Sequence, residues 1–155
     1  FDLSTASSPL IVAGGLGVAP LLFVTQRLSR NTPTILIGAR TKKQILSEQR
    51  MRGFAGEVRT ATEDGSSGTK GVVTDLLANV LRPDHSVFAC GPREMLRAVA
   101  EICQKGGCLS SQISLEEIMG CGLGACLGCG VKSTRGGYRR VCSEGPVFYT
   151  SEVIL

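Results

Sequence analysis

The sequence has little of what several common functional sites need. Tryptophan is absent, aromatic residues make up only 5%, and there is one histidine. That histidine, His85, follows Pro83-Asp84, so we interpret it as a solvated turn residue without a catalytic role. No Ser/His/Asp or paired-carboxylate arrangement stands out, and the adjacent Glu116 and Glu117 are interpreted as a solvated strand end. The sequence therefore gives no support for a hydrolase.

Charge and hydropathy argue against two further classes of protein. The net charge is only +4, and lysine and arginine are scattered, which argues against a nucleic-acid-binding protein. No apolar run is long enough to span a bilayer, and we expect no signal peptide. We therefore expect a reducing, cytoplasmic location, in which the seven cysteines stay reduced. Because the chain lacks an initiator Met, we also expect it to be a fragment or a processed product.

Four cysteines lie in a glycine-rich stretch near the C-terminus. Cys121, Cys126 and Cys129 have the spacing C-x4-C-x2-C, and Cys142 follows after a gap of 12 residues. This is the ligand pattern of a plant-type [2Fe–2S] cluster, which transfers single electrons. Glycines between the cysteines let a loop wrap closely around a cluster and point N–H groups at sulfur. The sequence therefore predicts that these four thiolates bind iron.

Three alternatives to a cluster stay open. A structural zinc ion usually takes two short C-x2–4-C arms that lie far apart, which fits this pattern less well. A disulfide set requires an oxidising compartment, and a glycine-rich loop with incidental cysteines requires no ligand. The last gap is shorter than we expect of plant ferredoxins, so a ferredoxin fold is not predicted. The neighbouring cations either offset a negative cluster or form a solvated hairpin face: Lys132, Arg135, Arg139 and Arg140.

Strand and helix patterns alternate along residues 1–117. Short runs that are apolar on both faces predict five strands, and helical spacing between them predicts four helices. This alternation is typical of a doubly wound, parallel α/β sheet. Residues 118–155 differ and predict a small cysteine-rich β domain built on a hairpin. The predicted strands are Pro9–Ala13, Thr34–Ala39, Val58–Thr62, Ser86–Cys90 and Leu109–Leu115, the helices are Val18–Leu28, Gln44–Arg52, Thr74–Leu81 and Pro92–Lys105, and the hairpin strands are Val131–Thr134 and Tyr138–Cys142.

Three loops at the carboxyl ends of these strands carry the predicted nucleotide chemistry, because ligands of open α/β sheets bind there. The glycines Gly14, Gly15 and Gly17 precede a helix and could face a pyrophosphate, although a plain tight turn is an alternative. Asp64 could accept hydrogen bonds from ribose hydroxyls and repel a 2′-phosphate, or it belongs to an Asp-Gly surface turn. The tripeptide Cys90-Gly91-Pro92 forms either an open shelf or an ordinary strand-to-helix junction.

These residues also carry a resemblance to a known family. The segments GGLGVAP, TEDGSSGTKGVVTD and FACGP resemble the pyridine-nucleotide domain of the ferredoxin–NADP reductase superfamily. With SLEEIMGCGLGACLGCGVK and YRRVCSEGPVF added, the whole chain resembles the C-terminal part of the electron-transfer subunits of bacterial dihydroorotate dehydrogenase B. In that family an FAD-binding β-barrel precedes this region. The resemblance therefore implies that the barrel is absent from this chain and that FAD binding needs it.

The resemblance also implies a route for electrons. In the family, a catalytic partner subunit oxidises dihydroorotate to orotate on FMN within a heterotetramer that serves pyrimidine biosynthesis, and electrons pass through the [2Fe–2S] cluster to FAD and then to NAD⁺. By this resemblance the cysteines at 121, 126, 129 and 142 hold iron, the glycines at 14, 15 and 17 face the nucleotide phosphates, Asp64 faces the adenosine, and Cys90-Gly91-Pro92 faces the nicotinamide. Three alternatives remain: a sulfhydrogenase subunit, an electron-bifurcating NADH–ferredoxin subunit, or a zinc-stabilised nucleotide-binding module.

Overall fold

The computed structural model describes residues 1–4 and 6–155. Ten strands form two sheets, one of seven strands and one of three. In chain order the strands are β1 Pro9–Gly14, β2 Thr34–Ala39, β3 Glu57–Thr62, β4 Thr69–Lys70, β5 Ser86–Cys90, β6 Ser110–Ser114, β7 Gly130–Ser133, β8 Tyr138–Arg140, β9 Val147–Tyr149 and β10 Val153–Ile154.

The large sheet has the strand order β4-β3-β2-β1-β5-β6-β9. Its first six strands are parallel, and β9 runs antiparallel to β6. The five predicted strands are confirmed and form the middle of the sheet. Two further strands extend it at the edges, since β4 adds two exposed residues at one end and the C-terminal segment supplies β9 at the other.

Helices cover both faces of the large sheet, as the doubly wound pattern predicts. They are α1 Val18–Arg27, α2 Glu48–Arg52, α3 Val73–Val80, α4 Arg93–Lys105 and α5 Val141–Glu144. One apolar cluster includes Leu21 of α1 and Met51 of α2, and the other includes Leu77 of α3 and Val99 of α4. The sheet therefore separates two cores, each of which is closed by two helices.

The predicted helix over 44–52 is shorter in the structure. A 3-10 turn at Lys42–Gln44 is followed by extended backbone at Ile45, and Ser47 has a left-handed φ of 55°. These two conformations interrupt any helix, so α2 begins only at Glu48. The third predicted helix begins within one residue of its expected start, and the carboxylate of Asp75 in its first turn accepts the N–H of Val72 at 3.1 Å.

The C-terminal segment, residues 116–155, packs directly against the large sheet. Its own antiparallel sheet has the order β10-β7-β8. Val131 and Phe148 belong to the same apolar cluster as the helices α3 and α4, so the two parts share one core. The predicted hairpin is confirmed, but Cys142 lies in α5 rather than in a strand. The reason is local: Glu144 accepts the backbone N–H of Arg140 at 2.9 Å and closes a helical turn.

Among the helices that the structure describes, none combines the length and the apolar character required to cross a membrane.

Candidate nucleotide cleft and cysteine cluster

A cleft opens at the carboxyl ends of the central strands. The order β3-β2-β1-β5-β6 reverses direction between β1 and β5, and ligands of open α/β sheets bind at such a reversal. The loops that leave β1 and β5 contain Gly14–Gly17 and Gly91-Pro92. The structure therefore brings together two of the three predicted nucleotide loops at the point where the fold favours a ligand.

The two loops touch each other through their backbones. A Cβ at Gly17 would overlap the carbonyl group of Cys90 and lie 2.6 Å from the nitrogen of Gly91. A Cβ at Gly14 would lie 3.0 Å from Cδ of Pro92. Glycine at these positions is therefore required for close packing, and Gly15, with φ of 54°, provides the left-handed turn between them.

The larger of two cavities in the cleft has a volume of about 1020 Å³. It extends from the glycine loop past the end of β2 to the end of β3. Its lining includes Gly14 and Gly15 at one end and the side chains of Arg40, Lys43 and Glu63 at the other. The cavity thus offers a glycine-rich end suited to phosphate and a charged end suited to polar hydroxyls.

The predicted adenosine contact Asp64 is placed differently from its neighbour Glu63. Oδ1 of Asp64 accepts hydrogen bonds from the backbone N–H of Ser66 at 2.9 Å and from its hydroxyl at 2.6 Å. The hydroxyl of Ser66 is the first cause of a lowered pKa at Asp64. Asp64 therefore organises its own turn, whereas Glu63 lines the cavity. The ligand role of Asp64 remains a prediction.

A smaller cavity of about 320 Å³ lies on the other side of the glycine loop. It is lined by Leu16, Gly91 and Pro92 and by the glutamates Glu116 and Glu117, which follow β6. Cys90 is buried beneath this shelf, and burial is the first cause of its raised pKa. Gly91 and Pro92 line the cavity and Cys90 does not, so the structure offers no exposed Cys90 thiol to a ligand there.

The four predicted metal ligands lie in or next to an irregular loop. The cysteine loop, residues 115–129, contains no helix or strand. The backbone N–H of Cys126 lies 3.5 Å from Sγ of Cys121, and the backbone N–H of Cys142 lies 3.4 Å from Sγ of Cys129. The structure therefore links the four cysteines as two pairs, each formed by consecutive cysteines of the motif.

Backbone N–H groups point at the thiols. Those of Leu123 and Cys126 lie 3.3 Å and 3.5 Å from Sγ of Cys121, and that of Cys142 lies 3.4 Å from Sγ of Cys129. The N–H of Cys126 is the largest cause that lowers the pKa of Cys121 to about 6. The N–H of Cys142 lowers the pKa of Cys129 in the same way. N–H donors favour thiolates, which are the form that binds metal.

The donor set fits a cluster with two irons. Within the described residues, no three Cys, His, Asp or Glu side chains are gathered closely enough to hold a single metal ion. A [2Fe–2S] cluster instead takes two thiolates at each iron, and two thiol pairs surrounded by N–H donors match that requirement. The remaining cysteines are buried, as is typical of small apolar side chains: Cys90, Cys103 and Cys108.

Two of the neighbouring cations are fixed by carboxylates. Arg139 donates to Glu144 at 3.2 Å and lies 3.6 Å from Glu152. Nε of Arg140 donates to Glu144 at 2.8 Å. These cations are therefore not a freely solvated face, and one of them, Arg140, also reaches the cysteine loop.

Sequence reasoning missed the basic side chains of the large cavity. Arg40 and Lys43 follow β2 in the run Arg40-Thr41-Lys42-Lys43. A usable signal was present, because the end of β2 must open into the same cleft as the ends of β1 and β3. The contact between Arg140 and the cysteine loop left no such signal, since it depends on how the glycines of the loop turn.

Two family models match the chain. Residues 11–101 match the oxidoreductase NAD-binding domain. Residues 116–154 match the iron-sulfur cluster binding domain of dihydroorotate dehydrogenase B.

Two curated relatives carry the same name. The chain is 41% identical over 158 residues to the "Dihydroorotate dehydrogenase B (NAD(+)), electron transfer subunit" of Caldanaerobacter subterraneus subsp. tengcongensis, which covers 100% of this chain and 62% of that protein. It is 40% identical over 153 residues to the protein of the same name from Bacillus caldolyticus, covering 96% of this chain and 58% of that protein. The chain thus spans less than two thirds of the length of these relatives.

Solved structures share the fold. An NADH-dependent reduced ferredoxin-NADP oxidoreductase, studied for flavin-based electron bifurcation, matches with a TM-score of 0.79 and 28% identity over 96% of this chain and 55% of that chain. A ferredoxin reductase of carbazole 1,9a-dioxygenase matches with a TM-score of 0.57 and 19% identity over 69% of this chain and 36% of that chain, a likeness of fold alone.

Proposed function

Since this chain belongs to the oxidoreductase NAD-binding family and to the electron transfer subunits of dihydroorotate dehydrogenase B, we propose that it carries electrons between NAD(H) and a [2Fe–2S] cluster during oxidation of dihydroorotate to orotate. One observation carries the proposal. Glu116 and Glu117, at the start of the cysteine loop, line the small cavity beside the Gly91-Pro92 shelf. The proposed nicotinamide site and the proposed cluster site are therefore adjacent parts of one framework.

The large cavity is the proposed site of the dinucleotide. Gly14, Gly15 and Gly17 lead into the N-terminus of α1, where backbone N–H groups and the helix dipole favour phosphate. Glu63 supports binding of the adenosine ribose hydroxyls, and Asp64 contributes by shaping the turn that presents it. Glu63 opposes a 2′-phosphate, whereas Arg40 and Lys43 at the same end attract one. We propose NAD(H) rather than NADP(H) as the nucleotide, because the similar electron transfer subunits are named for NAD(+).

The nicotinamide is proposed to lie at the Cys90-Gly91-Pro92 shelf. A salt bridge between Arg93 and Glu117 joins the start of α4 to the start of the C-terminal segment at this shelf. The ion pair holds Glu117, in the wall of the small cavity, against α4, and this supports a cavity of defined shape for the nicotinamide ring. When bound, NAD(H) supplies hydride chemistry and the cluster supplies single-electron chemistry, with FAD joining the two.

Cys121, Cys126, Cys129 and Cys142 are the proposed ligands of the cluster. Two features support this assignment: the arrangement of the thiols as two pairs and the N–H groups directed at Cys121 and Cys129. The role of this chain is to direct N–H donors at Cys121 and Cys129 and to hold the spacing of the four ligands while the cluster changes charge.

A catalytic, FMN-containing partner subunit is proposed to take part, in a heterotetramer. The cysteine loop exposes the apolar side chains Ile118, Leu123 and Leu127, which supports a protein surface at this end. A cytoplasmic location is proposed as well, because all seven cysteines are free thiols.

Anaerobic purification tests the metal assignment. We expect reddish-brown protein that contains about two iron and two sulfide per chain. Cofactor-free protein can be reconstituted with iron and sulfide under the same conditions, so loss during purification does not decide the result. A colourless preparation with stoichiometric zinc after reconstitution would contradict the proposal.

Mixing experiments test the electron route. NADH alone is expected to leave the cluster absorbance unchanged, because a hydride donor and a one-electron acceptor need a flavin between them. The full electron-transfer subunit with FAD is expected to restore bleaching by NADH, and the catalytic subunit is expected to couple it to dihydroorotate. Rapid bleaching by NADH without flavin would show that this division of labour is wrong.

A subunit of an electron-bifurcating enzyme is the second candidate. The 28% identical bifurcating oxidoreductase structure, which covers nearly the whole chain, favours it. The 41% identity to the dihydroorotate dehydrogenase B subunit favours the first candidate. The two differ in partner: cluster reduction through the catalytic subunit by dihydroorotate supports the first, and reduction only through ferredoxin supports the second.

A further inference from the structure

One short segment of the cysteine loop, Leu123–Cys126, has hydrogen bonds on two sides. The carbonyl oxygen of Gly124 accepts a hydrogen bond from Nη1 of Arg140 at 3.2 Å. The N–H groups of Leu123 and Cys126, which flank this position, lie 3.3 Å and 3.5 Å from Sγ of Cys121. The segment therefore connects an arginine in β8 to the thiol of a proposed iron ligand.

Chain connectivity makes the two sets of contacts interdependent. Peptide units are planar, so the backbone can rotate only about φ and ψ of each residue. Fixing the carbonyl of Gly124 on Arg140 therefore restricts the neighbouring peptide units, which carry the N–H groups of Leu123 and Cys126. The positive charge of the guanidinium strengthens its hydrogen bond to this carbonyl.

Arg140 is itself anchored by Glu144. Oε2 of Glu144 accepts hydrogen bonds from Nε at 2.8 Å and from the backbone N–H of Arg140 at 2.9 Å. The planar fork leaves Nη1 free to face Gly124. Glu144 is also the first cause of a raised pKa at Arg140.

The glycine at 124 is packed tightly against this anchor. Gly124 has φ of 79°, a conformation that side chains avoid, and a Cβ there would lie 2.7 Å from Oγ of Ser143. Gly124 therefore has little room to move on the side of Ser143, so a shift of the arginine is passed on to the segment Leu123–Cys126.

We propose that Arg140 is a positioning residue for the cluster: it holds the carbonyl of Gly124 so that the N–H groups of Leu123 and Cys126 donate to Sγ of Cys121, and it thereby raises the reduction potential. This inference rests on the proposed function, since it assumes that the four thiols bind a [2Fe–2S] cluster. Hydrogen bonds to ligand sulfur stabilise the reduced, more negative cluster, so their loss makes reduction harder.

The test compares three variants of the cluster-loaded chain. Arg140→Gln removes the charge and the fork, Arg140→Lys keeps the charge but removes the fork, and Arg135→Gln removes the same charge from the exposed hairpin turn. Redox titration followed by visible absorbance gives the potential, iron content gives the loading, and resonance Raman spectra in H₂O and D₂O report hydrogen bonds to the cysteinyl sulfurs.

We expect Arg140→Gln to make reduction less favourable on the order of tenfold, which is 59 mV for one electron. Arg140→Lys is expected to give at least half of that shift, and both variants are expected to lose part of the D₂O effect on the Fe–S(Cys) bands. Arg135→Gln is expected to match the wild type. An Arg140→Lys potential equal to the wild type, or equal shifts for Arg135→Gln and Arg140→Gln, would overturn the positioning role in favour of charge alone.

Glu144→Gln decides the question if the Arg140 variants do not hold iron. Charge alone predicts that removing this carboxylate makes the cluster easier to reduce. If Glu144 acts by anchoring Arg140, the variant makes the cluster harder to reduce, because Arg140 no longer holds the carbonyl of Gly124. A lowered potential supports the proposal, and an unchanged or raised one overturns it. Failure of the wild-type chain to take up iron and sulfide would instead contradict the proposed function.

Discussion

The nucleotide cleft and the cysteine loop form their sites in opposite ways. The cleft is made of strand ends and two loops whose backbones touch, and its glycines pack against buried neighbours such as Cys90. The cysteine loop has no regular structure between β6 and β7, and Cys126 is exposed. Its thiols are oriented by local N–H groups and by Arg140 rather than by a core.

The fold alone provides the cleft, whereas a ligand must complete the cysteine loop. The cleft exists because the strands β1 and β5 pair and bury their side chains, so its shape does not depend on a nucleotide. The cysteine loop contributes few side chains to the core apart from Cys129 and Leu115. We therefore expect changes in the loop to affect the metal without unfolding the sheet, and changes in the cleft to affect the sheet as well as the ligand.

The largest expected effect is the loss of the cluster in Cys126→Ser. The thiol of Cys126 is exposed and does not belong to either apolar cluster, so its removal should leave the fold intact while iron and visible absorbance are lost. The matched change is Cys103→Ala at a fully buried thiol, which should keep the cluster and lower the unfolding free energy by about 1–2 kcal/mol. Iron assay and thermal unfolding measure both properties. An iron-replete Cys126→Ser chain would remove the main support for the ligand assignment.

Gly17→Ala should produce the next largest effect, now in the cleft. A Cβ at this position overlaps the backbone of Cys90, which cannot rotate away, so the two nucleotide loops must separate. We expect NADH affinity to fall on the order of tenfold and the unfolding free energy to fall by about 1–3 kcal/mol, with cluster content unchanged. Calorimetric titration and thermal unfolding are the measurements.

The control for that variant is Gly53→Ala at the end of α2. Gly53 has an ordinary helical φ of −68°, and a Cβ there meets only the carbonyl of Arg50 at 3.4 Å. The Gly53→Ala variant should bind NADH with the affinity of the wild type. Equal losses at both glycines would mean that the effect is general destabilisation and that the contact between the two loops is unimportant.

The five central strands could be predicted because burial on both faces leaves a continuous apolar run, as in β1 and β5. The edge strand β4 could not, since Thr69 and Lys70 are exposed and carry no such pattern. The strand β9 was missed for another reason: its partner β6 lies more than thirty residues earlier, and the pairing follows from how the C-terminal segment folds back.

The candidate site divides in the same way. Cysteine spacing and glycine-rich loops are local signals, and they identified the four thiols and the loops after β1 and β5. Which of Glu63 and Asp64 lines the cavity could not be predicted from sequence. The answer depends on the hydrogen bonds that Ser66 donates to Asp64, which hold that carboxylate within its own turn. The contact of Arg140 with Gly124 joins residues 16 apart across a loop whose course is set by left-handed glycines.

The smallest expected effect distinguishes these two carboxylates. Glu63 lines the large cavity with Arg40 and Lys43, so its negative charge is the group that opposes a 2′-phosphate there. Glu63→Gln should raise the affinity for NADPH relative to NADH by about fivefold, a modest change because the site is open to water and screened by salt. The shift should shrink at high ionic strength, whereas a steric cause would not respond to salt.

Asp64→Asn is the matched variant, since it removes the same charge from the adjacent residue. The carboxylate of Asp64 is engaged by Ser66, whose own hydroxyl accepts the N–H of Lys42 at 2.7 Å. Neutralising Asp64 should loosen this turn and weaken both nucleotides alike, which leaves their affinity ratio unchanged. Titration of the two variants with NADH and NADPH at low and high salt gives the comparison. A ratio that changes in Asp64→Asn and not in Glu63→Gln would return the discriminating role to Asp64, and wild-type protein that binds NADPH more tightly than NADH would contradict the proposed nucleotide.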